Sequence, residues 1–130
     1  MAGEFLTAGK LFKRGYQTGV TLGNAKAIDL IAHNPKTGRT LIVQVKTLRH
    51  KNCFDLRKDE VKPEHIFVFV FLHDFVDSEE FFILGGQTLL SDVNHFWGTS
   101  YARAKPCSHP GINYGPLRQY KDNWDIFDQT

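Results

Sequence analysis

A chain of 130 residues that is 42% hydrophobic and carries 11 Phe lies in the usual range for one domain and can build a real core, which excludes a largely disordered protein. Its 16 Lys+Arg against 14 Asp+Glu leave a formal charge of only +2, far from the balance of histone-like or ribosomal proteins, so any nucleic-acid contact must come from a local patch. The longest apolar run, Ile66 to Leu72, is too short to span a bilayer, and Glu4, Lys10, Lys13 and Arg14 interrupt the N-terminus too soon for a signal peptide. No membrane association is expected, and the cytoplasm is the expected compartment. Cys53 and Cys107 stand far apart with no C-x-x-C pair, which reads as free thiols in a reducing environment.

From Glu4 to Arg14, Phe5, Ala8, Leu11 and Phe12 recur at helical spacing, and Gly15 supplies a stop, so an amphipathic first helix is expected. Tyr16 to Leu22 and Lys26 to His33 suit short strands joined at Gly23-Asn24. The turn-forming residues Asn34 to Gly38 then separate Ile28-Asp29-Leu30-Ile31 from Leu41-Ile42-Val43-Gln44-Val45, which reads as a hairpin. Arg49 to Glu64 is polar and reads as a loop with room for a short helix.

Ile66 to Leu72 is apolar on both alternating faces, as in a strand at the middle of a sheet and covered on both sides. Phe81 to Leu84 looks like its partner. Thr88 to Trp97 places Leu89, Val93, Phe96 and Trp97 at helical spacing before Gly98. Beyond Gly98, Pro106, Pro110 and Pro116 predict a winding segment that packs Tyr114, Tyr120, Trp124 and Phe127 onto the body, with room for a helix from Pro116 to Trp124. No repeat or linker marks a second domain, so residues 1–130 read as one domain with a core over about 3–98 and a loop-rich segment over 99–130.

If the hairpin turns symmetrically about Lys36-Thr37, facing residue numbers sum to 73, which sets Asp29 opposite Gln44. Side chains alternate along a strand, so Gln44 and Lys46 share a face, with Lys46 diagonal to Asp29. Their neighbours there are Ala27, Ile31 and Ile42, while Ile28, Leu30, Val43 and Val45 point the other way. A carboxylate and an ammonium among aliphatic side chains carry a desolvation cost of several kcal/mol each, roughly, unless they pair or bind an ion. A simple Asp29–Lys46 salt bridge is the plainer reading of such a pair. The chemistry that fits the whole cluster is phosphodiester hydrolysis, in which oxygen ligands hold Mg²⁺ and a lysine orients or activates the attacking water.

Ile28-Asp29-Leu30, a turn, then Ile42-Val43-Gln44-Val45-Lys46 resembles the split active-site motif of the PD-(D/E)XK nucleases. The resemblance covers about the first half of the chain and implies a restriction endonuclease-like α/β core, a mixed sheet (meander plus buried strand) flanked by helices. It implies Asp29 and Gln44 as metal ligands, the backbone oxygen of Val45 as a third, and Lys46 as the catalytic lysine. Glu4 matches the acidic residue that many members carry on the first helix, provided that helix lies over the hairpin. The family usually has Asp or Glu where this chain has Gln44, and a neutral ligand weakens affinity for a hard cation; the Q-x-K form is similar to the variant of Mrr-type nucleases.

The resemblance implies a Mg²⁺- or Mn²⁺-dependent DNA endonuclease, with RNA left open as a substrate and a homodimer in keeping with cutting both strands. The alternative is a nuclease-fold domain that has lost cleavage and binds nucleic acid or a protein partner. Lys10, Lys13 and Arg14 form a basic stripe on the first helix, and Arg49, His50 and Lys51 follow the Gln44 strand where a DNA backbone would pass, positioning rather than reading it. The six histidines show no zinc-type spacing and read as structural or exposed, with His33 at the rim. Gly85-Gly86-Gln87 lacks the pattern of a phosphate loop, so no nucleotide cofactor is expected.

Overall fold

A computed structural model describes residues 2–21, 30–49, 53–73, 78–98 and 111–129. Helix α1 spans Ala2–Lys13 and stops where the sequence indicates: Gly15 takes φ 94°, a left-handed conformation that suits glycine, and the Tyr16 amide donates to the Leu11 carbonyl at 3.0 Å. The meander follows as β1 (Gln17–Val20), β2 (Leu30–His33) and β3 (Thr40–Leu48), each antiparallel to the one before. In the hairpin, Leu30 faces Val43, Ile31 faces Ile42, Ala32 faces Leu41 and His33 faces Thr40, so every observed pair keeps the sum of 73. The turn is closed by the Lys36 amide donating to Asn34 Oδ1 and the Gly38 amide donating to the Asn34 carbonyl, with Gly38 at φ 75°.

Strand β5 (Ile66–Phe71) pairs parallel to β3, and β6 (Glu80–Gly85) pairs antiparallel to β5. The sheet order is β1-β2-β3-β5-β6, so β3 is the central strand and β5 stands beside it, against the expectation that β5 would be the middle one. The double-faced apolar pattern does mark burial: all of β5 is buried, with Ile66, Val68 and Val70 on one side and Phe67, Phe69 and Phe71 on the other. Burial on both faces requires only a neighbour strand on each side and a covered layer above and below, a condition that an off-centre interior strand also meets.

Arg49 to Glu64, expected to be a loop with room for a short helix, holds a 3-10 turn at Lys58–Glu60 and, beyond that expectation, strand β4 (Phe54–Asp55), which forms a separate two-stranded sheet with β7 (Gly111–Ile112). Cys53, just before β4, is buried and disulfide-bonded, which corrects the free-thiol reading; Cys107 lies outside the described residues. The expected helix over Thr88 to Trp97 is two: α2 (Gly86–Ser91) and α3 (Val93–Trp97), broken at Asp92 with φ −147° and ψ 70°. The Asp92 carbonyl accepts from the amides of His95 and Phe96 and so restarts the helix. In place of a helix over Pro116 to Trp124 there are α4 (Tyr114–Leu117) and 3-10 turns at Arg118–Tyr120 and Trp124–Phe127.

Two apolar layers sandwich the sheet. Leu11 and Tyr16 join Leu30, Val43, Val45, Val68 and Ile83, closed by Trp124 and Phe127; on the other side Phe67, Phe69, Phe82 and Leu84 meet Phe54, Leu89, Phe96, Ile112 and Leu117. The C-terminal segment therefore completes both layers, with Tyr114 and Tyr120 packed at the margin of the second, as expected. The architecture is a mixed α/β sheet flanked by helices. Among the described residues no helix is long and apolar enough to cross a membrane.

Candidate active site

Strand β3 carries the central pair. Val43 and Val45 belong to the layer under α1, and alternation sends Gln44 and Lys46 to the phenylalanine side, where Gln44 lies beside Phe67 of β5 and Lys46 beside Phe69. Gln44 is 7% exposed and Lys46 is half-buried. A buried amide is costly unless hydrogen-bonded, and Gln44 has a partner: its Nε2 stands 3.4 Å from Nδ1 of His65, itself 7% exposed. An amide nitrogen only donates, so this contact requires the ring to accept through Nδ1, as it does in the Nε2–H tautomer. With its nitrogen turned to His65, Gln44 directs its carbonyl oxygen elsewhere, free of that contact.

Asp29, His50 and Lys51 lie outside the described residues. Leu30, the next residue after Asp29, opens β2 opposite Val43. Helix α1 does lie over the hairpin, as the role of Glu4 required, but on the Val43–Val45 side. A Cβ on Gly3 would run into Thr47, the residue after Lys46, so the first turn of α1 stands at the Lys46 end of β3 from the opposite face, with Glu4 half-buried there and its Oε1 fully buried. Glu4 and the Gln44–Lys46 pair thus approach β3 from different sides. Arg49 is exposed just past the end of β3.

The basic stripe on α1 is partly committed. One guanidinium nitrogen of Arg14 sits 2.9 Å from both Asp125 Oδ1 and Asp128 Oδ2, and the Lys10 ammonium lies 5.5 Å from the centre of the Phe81 ring. Lys10, Lys13 and Arg14 line a shallow cavity of about 300 Å³ with Asp122 and Trp124, on the opposite side of the sheet from Gln44. Tyr16 donates to Asp128 Oδ1 at 2.5 Å; burial, then that bond, pushes the phenol up to about 12, and the Tyr16 and Arg14 hydrogen bonds outweigh burial to hold the Asp128 carboxyl below its usual range.

A cluster that sequence reasoning missed surrounds Glu80. Its Oε1 accepts from His73 Nε2 at 2.6 Å and from the Tyr114 hydroxyl at 3.2 Å, and its Oε2 pairs with Lys121 at 3.1 Å. Burial works to raise the Glu80 carboxyl, but the bonds from His73, Lys121 and Tyr114 prevail and lower it. Its members come from distant parts of the chain, so no local pattern announced it. His33, read as a rim residue, bonds Thr40 Oγ1 at 2.9 Å across the hairpin. His65 had no signal beyond its type.

Among the described residues no three His, Cys, Asp or Glu side chains gather to hold a metal. The Gln44 amide oxygen and the Val45 backbone carbonyl are oxygen atoms of the sort a hard cation takes.

No family model matches this chain, and no curated protein matches it. Among solved structures, the bacterial homing endonuclease I-Ssp6803I is similar, with a TM-score of 0.61 and 14% sequence identity over 98% of this chain and 89% of that one. At that identity the likeness is one of fold: this chain shares the mixed α/β fold of that endonuclease.

Proposed function

We propose that the protein is a Mg²⁺- or Mn²⁺-dependent endonuclease of the PD-(D/E)XK type, in its Q-x-K form, acting on DNA. The observation that carries this reading is the hairpin register. The observed pairs, Leu30–Val43 to His33–Thr40, all keep the sum of 73 from which the sequence reading pairs Asp29 with Gln44, and this supports taking Asp29, Gln44 and Lys46 as one set. In this reading Asp29, the Gln44 amide oxygen and the Val45 carbonyl would hold the cation, which would supply positive charge against the charge developing on the phosphate. Lys46, on a half-buried stem and one strand-period from Gln44, orients the attacking water.

The shared fold with a homing endonuclease favours a nucleic-acid phosphodiester as the substrate. Arg49, with His50 and Lys51 after it, supplies backbone contacts beside the site, while the α1 stripe relies on Lys10 and Lys13, since Arg14 is paired. A homodimer would let two such sites act on opposite strands.

The test is plasmid nicking with Mg²⁺ or Mn²⁺ by wild type, Asp29→Ala and Lys46→Ala, beside titration of each metal into the same proteins. Nicking by wild type alone, with metal binding lost in Asp29→Ala and retained in Lys46→Ala, is the expected result. Absence of nicking in wild type with DNA binding retained would replace this reading with the inactive, nucleic-acid-binding form of the fold.

A further inference from the structure

We infer that His65 is the positioning residue for Gln44, holding the side-chain amide so that its oxygen, not its nitrogen, is presented for a hard divalent cation. The inference rests on the proposed function in taking Gln44 as a ligand, and it answers a chemical problem that a glutamine raises there. A carboxylate offers oxygen on both arms and binds a cation in either orientation. A glutamine amide binds only through oxygen, and rotation by half a turn would aim an N–H₂ donor at the metal site.

His65 in its Nε2–H tautomer removes that ambiguity. Its Nδ1 lies 3.4 Å from Gln44 Nε2. In the Nε2–H tautomer Nδ1 is an acceptor, and it accepts from the amide nitrogen while repelling the amide oxygen. The flipped amide would place two lone-pair acceptors against one another in a pocket where both residues are 7% exposed and water offers little relief.

The histidine is itself held from behind. Its amide donates to the Lys62 carbonyl at 3.1 Å, its carbonyl accepts from Gly86 at 2.8 Å, and Gln87 donates to the Pro63 carbonyl at 3.2 Å. Gly86 is buried, and a Cβ there would collide with the Lys62 carbonyl, so the turn before β5 and the start of α2 are locked backbone to backbone. On its other side His65 leads directly into β5, whose Ile66 pairs with Val43. The imidazole therefore stands on a rigid frame that spans the turn, α2 and the central strands, as an orienting group requires.

The first readout needs no metal. A long-range ¹⁵N–¹H correlation spectrum of the metal-free protein at pH 8 should show His65 as the Nε2–H tautomer with an accepting Nδ1, and a contact between the Gln44 amide protons and the His65 ring. The Nδ1–H tautomer would overturn the proposal, because it cannot accept from the amide.

The second is Mn²⁺ titration into wild type, His65→Leu, His65→Asn and Gln44→Ala. Asn can place its side-chain oxygen near the position of Nδ1, so His65→Asn should bind within about threefold of wild type, while His65→Leu should lose about ten- to a hundredfold, the usual effect of removing an orienting partner. Wild-type binding by His65→Leu beside a loss in Gln44→Ala overturns the role of His65 alone. Wild-type binding by Gln44→Ala overturns Gln44 as a ligand, and the role of His65 with it. Should His65→Leu fail to fold, the wild-type tautomer and His65→Asn decide.

Discussion

The start of α2 meets the turn before β5 at Gly86 and Lys62, where a side chain on residue 86 would occupy the position of the Lys62 carbonyl oxygen. This contact is made of backbone on one side and a missing side chain on the other, so neither partner can yield by a change of rotamer. Gly86→Ala should destabilise the protein by about 1–3 kcal/mol, the range for forcing extra atoms into a packed site. Urea unfolding checks it; an unchanged midpoint would show that the turn and helix separate freely.

Gln44→Glu tests the ligand role in the opposite direction from a deletion. A carboxylate adds charge for Mg²⁺, and affinity measured by calorimetry should rise by about tenfold, since ligand charge is a main determinant of affinity for hard cations. Without metal the same variant should be less stable than wild type, because a buried carboxylate has no N–H to offer His65. Loss of stability with no gain in affinity would remove residue 44 from the metal site.

The Tyr16–Asp128–Arg14 cluster predicts a particular dependence on pH. Asp128 titrates below the ordinary carboxylate range in the folded state, so its contribution is present above about pH 4 and lost as pH falls through the lowered value. Tyr16 titrates at about 12, so its contribution is present below about pH 10 and lost as pH rises through 12. Tyr16→Phe should cost about 1 kcal/mol at neutral pH and flatten both limbs of the stability profile. Thermal melts from pH 2 to 12 would show it; a variant with wild-type curvature would mean that the phenol bond contributes nothing.

Thr7 is fully buried on the inner face of α1, and its hydroxyl has no hydrogen-bond partner among the described residues. Thr7→Val keeps the branched shape and removes an unsatisfied polar atom, so it should stabilise the protein by about 1 kcal/mol. A lower melting temperature in the variant would indicate that the hydroxyl is satisfied in solution.

Much of the frame was legible in the residues. The hairpin register followed from Asn34-Pro35-Lys36-Thr37-Gly38 and the alternation on either side, because a short turn and a period of two leave one pairing that keeps Leu30, Val43 and Val45 on the same buried face. The burial of Ile66 to Phe71 and the end of α1 at Gly15 were likewise local facts. The break at Asp92 and the short helical turns of the C-terminal segment were not, since spacing alone does not report where a helix bends to reach a core.

What only the tertiary structure decided are relations between distant parts of the chain. β4 exists because β7 lies beside it, the basic stripe loses Arg14 to carboxylates at the far end of the sequence, and Glu80 gathers His73, Tyr114 and Lys121. The meeting of Gln44 with His65 is of the same kind. A sequence fixes which face of a strand a side chain takes, because that depends on neighbours one and two residues away; which group waits on that face depends on how the sheet is crossed and closed.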